Sequence, residues 1–533
     1  MISNKKLAVA VSGAVLLIAG QFALADSTTD IVDALVSKGV LTEEEGKLIS
    51  KGHVSQKEKT PMIKEKDGAF SLSSPNGKNS IQLTGRLHFD SKFNDISQED
   101  LFINNNPAVG VSGSDTDSKS LADHYNIRRA RLGVKGRFGG MADYEIVGNF
   151  AGTAGVDVAF MDINKYEPLG LMFGKFKVAP NLEIKTSSNN IDMIERSYVS
   201  QNVPEKRFGA ALHGELKGIT YFGSTFQNND SALSMSDNKL ATAGRATINL
   251  AEILDNKDVV AHFGLNGYSQ NYQLQTATTN NTNSTDLVSR GTVFSFTSGG
   301  QGLANAYRMQ IADTPSRIAA TGYGIASPNA ANVKSDNVGL ETILAYNNFK
   351  LQGEYSSAFF DASSSSGDQV QADVDTWYAE GLWILTGEKY SDAYKKGAFG
   401  ALKPKNEFNM DTGSGLGLWE LGFRMDAFDV SNTSGTNALG SRFQGAVGNK
   451  NNSPDTCSTA ANGFGGCGGG AKSYTASIKW VMNPNMVIKA NYTHTQFDEF
   501  FAPIDNGQNR ILGGTINTIN SENLLLVRGQ YMF

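Results

Sequence analysis

NIRRARLGVKGRF, residues 126–138, carries five basic residues in thirteen: Arg128, Arg129, Arg131, Lys135 and Arg137. They interleave with Ala130, Leu132, Val134 and Phe138. The chain around this segment is acidic, with 47 Lys and Arg against 53 Asp and Glu. Three readings compete: a nucleic-acid patch, an amphipathic membrane helix, or a β-strand with one wet and one apolar face. The period of two favours the strand. By parity Arg129, Arg131, Gly133, Lys135 and Arg137 share one face, and Ala130, Leu132, Val134, Gly136 and Phe138 the other. Arg128 falls on the apolar parity.

The two ends of the chain narrow the choice. It opens MISNKKLAVAVSGAVLLIAGQFALADSTTD, with Lys5 and Lys6 before an apolar run from Leu7 and then Ala23-Leu24-Ala25. This is the pattern of a Sec export signal, 1–25, removed after Ala25. An uncleaved anchor fits less well, because Ser12, Gly13, Gly20 and Gln21 dilute the run. Removing 1–25 takes away two lysines and no acid, so nothing points to a nucleic-acid partner. No later apolar run reaches the roughly 18 residues of a spanning helix. Glycine is abundant (57) and cysteine nearly absent (2), which argues against a disulfide scaffold. The other end reads SENLLLVRGQYMF, 521–533, with Leu525, Val527, Gly529, Tyr531 and Phe533 on one parity. A strand ending in Phe533, with Tyr531 two before it, resembles the terminal assembly signal of bacterial outer-membrane barrels. An exposed amphipathic strand is the alternative.

A barrel demands alternating strands, short turns on one side and long loops on the other. The sequence can be laid out that way. Runs at 79–92, 124–138, 142–152, 155–165, 170–178, 208–217, 219–228, 241–251, 258–270, 336–346, 349–360, 372–386, 415–430, 472–482, 486–499 and 521–533 make sixteen strands. In the first, Ile81, Leu83, Leu87 and Phe89 alternate with Gln82, Thr84, Arg86, His88 and Asp90. Gly139-Gly140, Lys217-Gly218, Asn347-Asn348 and the stretches starting at Glu167 and Asn483 supply turn chemistry. Long loops fall at 93–123, 179–207, 271–335 and 431–471. Two places strain the layout: 387–414 is long where a short turn is expected, and 271–335 is long enough to hide another hairpin. The expected fold is therefore all-β, a transmembrane antiparallel barrel over 79–533. Residues 26–78 form a short periplasmic helical extension and linker. In 29–52 one short helix ends near Gly39, and a second opens on a Thr42/Glu45 capping box. That extension suits either association across an oligomer or a solvated plug or tether. Residues 53–67, rich in Lys and Glu, read as linker.

Charge then decides the faces. An arginine or lysine pointing into lipid near the midplane costs roughly 2–4 kcal/mol, so the basic parity of 126–138 must face water. Arg128 must stand at the headgroup rim, or a bulge must turn it inward. Basic candidates for the inner wall are Arg86, Arg129, Arg131, Lys135 and Arg137, with Lys175 and Lys177 on one face of the fifth strand. Lys185, Arg196, Lys206 and Arg207 lie in or beside the third long loop. Cys457 and Cys467, in SPDTCSTAANGFGGCGGG, suit one local disulfide; two thiols are too few for a metal site. GFGGCG formally matches a dinucleotide fingerprint but no helix follows it. The histidines are isolated, and neither HExxH, a Walker A loop nor GxSxG occurs. No cofactor, metal or catalytic residue is expected.

Several strings then occur in order: IRRARLGVKGRF (127–138), GKFKVAPNLE (174–183), Glu195-Arg196-Ser197, WILTGEKYSDAYKKGAFGALKP (383–404) and GLWELGFRMDAFDV (417–430). Together they resemble the phosphate-selective porin O and P family, from about residue 80 to the C-terminus. The resemblance implies a homotrimeric, sixteen-stranded porin in the outer membrane of a Gram-negative bacterium. Its third extracellular loop folds inward as a constriction. It further implies that Arg128, Arg129 and Arg196, with Arg86 and Lys185, meet the permeating anion, and that Asp157 is the acid of the eyelet. The chain departs from the family in one respect. After residue 210, Arg245, Arg290, Arg308, Arg317, Arg424 and Arg528 are scattered rather than laddered. Asp143, Glu341, Glu420 and Asp426 would add negative charge if they face inward. The resulting expectation is a passive channel, not an enzyme, for small inorganic anions or small hydrophilic solutes, with a modest anion preference. A general or cation-tolerant porin is the alternative, and the long loops leave open a receptor, an adhesin or a barrel enzyme.

Overall fold

The computed structural model describes residues 32, 35–38, 40–45, 47, 61–66, 68–95, 123–152, 154–178, 181–228, 240–275, 289–303, 306–313, 330–364, 369–435, 442–444, 458–460, 463–465, 468–501 and 519–533. The export signal and both cysteines lie outside these residues. Sixteen long strands form one antiparallel sheet: β1 Ser80–Asn94, β2 His124–Phe138, β3 Ala142–Asn149, β4 Gly155–Tyr166, β5 Leu169–Lys177, β6 Lys206–Leu216, β7 Ile219–Gln227, β8 Leu240–Asn249, β9 Val259–Gln275, β10 Ala330–Tyr346, β11 Phe349–Ser364, β12 Gln369–Ile384, β13 Leu418–Gly435, β14 Gly469–Asn483, β15 Met486–Phe501 and β16 Ile519–Met532. Each pairs with the next in sequence, and β16 pairs back onto β1 from Leu524↔Asn94 to Met532↔Arg86. The sheet is closed, so it has no free edge along the barrel wall.

Alternation builds this wall. Along β12 the burial switches at nearly every residue. On β1, Leu83, Leu87 and Phe89 are exposed while His88, Asp90 and Lys92 are buried. The exposed apolar face is the lipid face, and the polar face turns inward. The expected strands and the structure agree strand for strand. Several strands run further than expected at the long-loop rim, β10 from Ala330 for example. There the small and polar residues carry the ladder on without the apolar alternation. Short turns close the opposite rim. Gly139 and Gly140 both have positive φ and make the tight turn of the three-residue connection between Phe138 and Ala142.

Three expectations change. The stretch read as linker contains a strand, Met62–Lys66, which pairs with Ala69–Ser73; the latter pairs with Ser80–Gln82 of β1. This hairpin takes the place in the sheet below the end of β16, where Phe533 N and O bond Gly85 O and N at 3.2 and 3.0 Å. A Cβ at Gly85 would fall 2.4 Å from the Phe533 ring, so glycine there admits the terminal aromatic. Near the start of the described chain, Thr42 and Glu45 form the expected capping box, with Thr42 N to Glu45 Oε2 at 2.9 Å and Glu45 N to Thr42 Oγ1 at 3.2 Å.

The other two changes concern the lumen. The stretch 271–335 does hold a hairpin, Ser289–Phe296 with Tyr307–Asp313, but it lies outside the barrel sheet. Its Phe294, Phe296 and Tyr307 pack with Tyr198 of the third long loop and with inward Phe360, Val374 and Phe428. Phe296 stacks on Phe428 with centroids 4.3 Å apart. The connection 385–417 likewise turns inward, burying Tyr390, Ala393 and Phe399 against Ile343, Leu382, Ile384 and Val481. Apolar packing thus fills both rims of the barrel along β10–β15, with buried charged and polar side chains between them. The water-filled space is displaced toward β1–β7.

Candidate functional site

Residues 181–205, between β5 and β6, cross the barrel. Their path is pinned on the far wall. Glu354 of β11 accepts from the amides of Leu182 and Glu183 at 3.0 and 2.9 Å, at the start of a single helical turn, Leu182–Lys185. Asp192 receives Lys350 Nζ of β11 at 2.6 Å and Lys479 Nζ of β14 at 3.4 Å. The Tyr198 hydroxyl meets Ser473 Oγ of β14 at 2.8 Å. On the near wall Arg86 donates to Ser188 Oγ at 2.9 Å, and Lys177 to Thr186 O at 3.1 Å. Buried ions need partners of this kind, because an unpaired one is costly.

Glu195, at the centre of the crossing, gathers arginines from both sides of the closing seam. Arg528 of β16 reaches it at 2.5 Å and holds Asp90 of β1 with two bonds of 2.6 Å. Arg128 of β2 forks onto both Glu195 oxygens at 3.0 and 3.3 Å. Arg129 Nη1 lies 3.9 Å away, and that atom has no hydrogen-bond partner. Burial alone would raise the pKa of Glu195, but Arg128, Arg528 and Arg129 hold it well below the usual carboxylate range.

A bulge brings Arg128 there. In the β1–β2 ladder Arg129 pairs with His88 and Ile127 with Phe89, so Arg128 has no partner strand residue. The lipid-facing parity switches across it: Tyr125 and Ile127 are exposed on one side, Leu132 and Phe138 on the other. The same device recurs at Asp157. Val147 pairs with Val158 and Gly148 with Val156, leaving Asp157 unpaired between them. Val156 faces out before it, Met161 and Ile163 after it. Each bulge lets two successive side chains turn inward.

Between the crossing and the wall β1–β7 lies a cavity of about 1230 Å³. Thirteen Lys and Arg line it against seven Asp and Glu, the reverse of the whole chain's balance. Asp157 takes Arg131 Nη2 at 2.9 Å and Lys206 Nζ at 2.6 Å. Arg196 donates to Glu183 O at 2.9 Å and stands 3.6 Å from Glu205. Against the pull of burial, Arg196 and Lys206 bring Glu205 down to about 2. Lys135 and Lys185 line the cavity and, among the described residues, pair with no carboxylate. The Lys185 side chain is exposed to the cavity, and the protein mass around that cavity, aided by Arg245, brings its amine down to about 8.

Of the residues singled out from sequence, Arg86, Arg131, Lys135, Lys185, Arg196 and Asp157 line this cavity. Arg128 and Arg129 stand instead at Glu195. Lys175, expected on the inner wall, does not line the cavity: it shares the parity of Phe173, is itself buried, donates to Val156 O at 2.8 Å, and lies 5.7 Å from the Phe208 ring. Lys177, two residues on, reaches the crossing only because it ends the strand. Arg528, which looked merely scattered, is an anchor of the crossing. Arg245 and Arg424 do face inward but are spent on Glu341 at 2.5 Å and Asp426 at 3.3 Å. Tyr531 is exposed on the lipid face, its ring 5.9 Å from that of Phe533.

Residues 104–500 match the family model described as phosphate-selective porin O and P. No curated protein matches the sequence. Among solved structures, OmpT, an outer-membrane protein of Vibrio cholerae, is 8% identical with a TM-score of 0.45, over 86% of this chain and 98% of that one. An anion-selective porin from Comamonas acidovorans is 9% identical with a TM-score of 0.42, over 85% and 100%. The outer-membrane channel DcaP of Acinetobacter baumannii is 10% identical with a TM-score of 0.42, over 85% and 97%.

Proposed function

With the family match spanning residues 104–500, the chain belongs to the phosphate-selective porin O and P family, and we propose that the basic cavity along β1–β7 is its permeation pathway, taking small anions. The protein is an outer-membrane porin. The observation that carries the pathway reading is the charge reversal: an acidic chain lines one cavity with thirteen cations and seven anions. A cavity with low-dielectric walls focuses that excess on a passing ion more strongly than an open surface does. Within it, Lys135 and Lys185 stand outside the ion pairs of the described residues, although Glu145 lies across the ladder from Lys135 and Asp162 lies near Lys185, while Arg131, Lys206 and Arg196 are held in place by Asp157 and Glu205. The buried ion pairs of the crossing serve to keep the constriction rigid. The chemistry needed is electrostatic and passive, so the protein works as a channel and not as an enzyme. The assembly implied by the family resemblance, a homotrimer in outer-membrane lipid, is part of this proposal.

Replacing Lys135 by Glu in the purified porin and measuring the reversal potential across a planar bilayer under a salt gradient tests the pathway. The expected result is a shift toward cations; an unchanged potential would take this cavity out of the conduction path.

A further inference from the structure

The cavity wall is not uniformly polar. Phe160 of β4, Met172 and Phe176 of β5 and Phe222 of β7 line it. They continue an apolar cluster that includes Ala211 and Phe226. Phe176 and Phe222 meet edge to face with centroids 6.4 Å apart. Phe176 is buried, whereas Phe160, Met172 and Phe222 remain partly exposed within the cavity. The inward face of a water-filled barrel is ordinarily polar, and apolar surface left in contact with water is unfavourable. Cations border the strip. Lys185 Nζ lies 5.8 Å from the Phe222 ring centre, and Arg131 and Lys135 line the same space. Asp162, the carboxylate beside Met172 in the sheet, is engaged by His213 Nε2 at 2.8 Å.

A small hydrophilic anion would use only the cations of such a wall. An anion with an apolar body would use both features at once, its charge on Lys185 and its body on the strip. Resting on the anion reading above, we infer that this pathway favours aromatic carboxylates over small hydrophilic anions of the same charge. Contact with the strip removes apolar surface of solute and wall together from water, and the ring edge-to-face geometry already present on Phe222 suits a further aromatic partner.

The probes are benzoate and acetate, each added at equal concentration to the full-length porin conducting potassium chloride in a planar bilayer. Benzoate is expected to block the current at a concentration about tenfold below acetate, equivalent to about 1.4 kcal/mol. Phe222→Ser is expected to bring that ratio close to one, with Met172→Gln as a second variant should the first fail to fold. Equal block by benzoate and acetate in the unaltered protein would overturn this inference and leave the anion pathway standing. A cation-selective reversal potential would overturn the anion reading, and this inference with it.

Discussion

Arg128 is held where the β1–β2 ladder skips a residue, and Asp157 where the β3–β4 ladder does. Both put a charge on the inner surface that a regular strand would have turned toward lipid. The excess charge of the cavity is carried by residues with a different environment. Lys185, open to the cavity but brought down to about 8 by the protein enclosing it and then by Arg245, is protonated below that pH and neutral above it. Anion preference is therefore expected to be strongest below about pH 8 and to fall as the pH rises through it. Lys185→Arg should reduce the fall, and reversal potentials recorded from pH 6 to 10 would contradict this if flat in the unaltered protein. The anchors respond differently. Arg528→Ala leaves Asp90 and Glu195 short of a buried partner, so it should destabilise the barrel by roughly 3–5 kcal/mol. Arg128→Ala leaves Arg528 on Glu195 and should cost much less; the order of the two heat-unfolding midpoints checks this. The bulge at Arg128 was legible in the sequence as one of two alternatives, because outward apolar residues change parity from Ile127 to Leu132; the one at Asp157 was not read, although Val156 and Met161 differ in parity in the same way. The placement of Lys175 was not, since parity alone does not say which of two equivalent lysines lies at the end of a strand.

At the scale of elements, the sixteen strands follow from alternation and turn chemistry, which are local. The inward packing of 289–313 and 385–417 does not. Phe296 meets Phe428, and Tyr390 joins Ile384 and Val481; nothing near either loop in sequence announces those partners. The strand Met62–Lys66 was hidden for a related reason. Its MIKEK composition reads as solvated linker, and only the place left below the end of β16 makes it a strand. The bulge itself can be tested as an element. Removing Arg128 leaves Ile127 and Arg129 opposite Phe89 and His88 with both faces unchanged, so the deletion is expected to fold. Removing Leu132 instead shifts half of β2 by one residue and drives Arg129 and Arg131 toward lipid, at roughly 2–4 kcal/mol for each charge near the midplane. Heat-modifiable migration on gels should show a folded barrel for the first deletion and not for the second; equal behaviour would contradict the bulge assignment.

The whole molecule separates its charge. Acidic overall, it sets Asp192, Glu195, Glu341 and Asp426 against buried cations, and the cavity holds an excess of thirteen Lys and Arg over seven Asp and Glu. It also separates its interior, filled along β10–β15 by an apolar cluster at each rim and buried ion pairs between them, open and basic along β1–β7. Net charge read from composition points the wrong way for such a pore, because it averages over surfaces that a permeating ion never meets. The central claim is that small anions cross along the basic wall. The reversal potential of the unaltered porin in a planar bilayer, under a potassium chloride gradient at pH 7, tests it most directly. A potential of the sign set by chloride is the predicted result; one set by potassium would contradict the account.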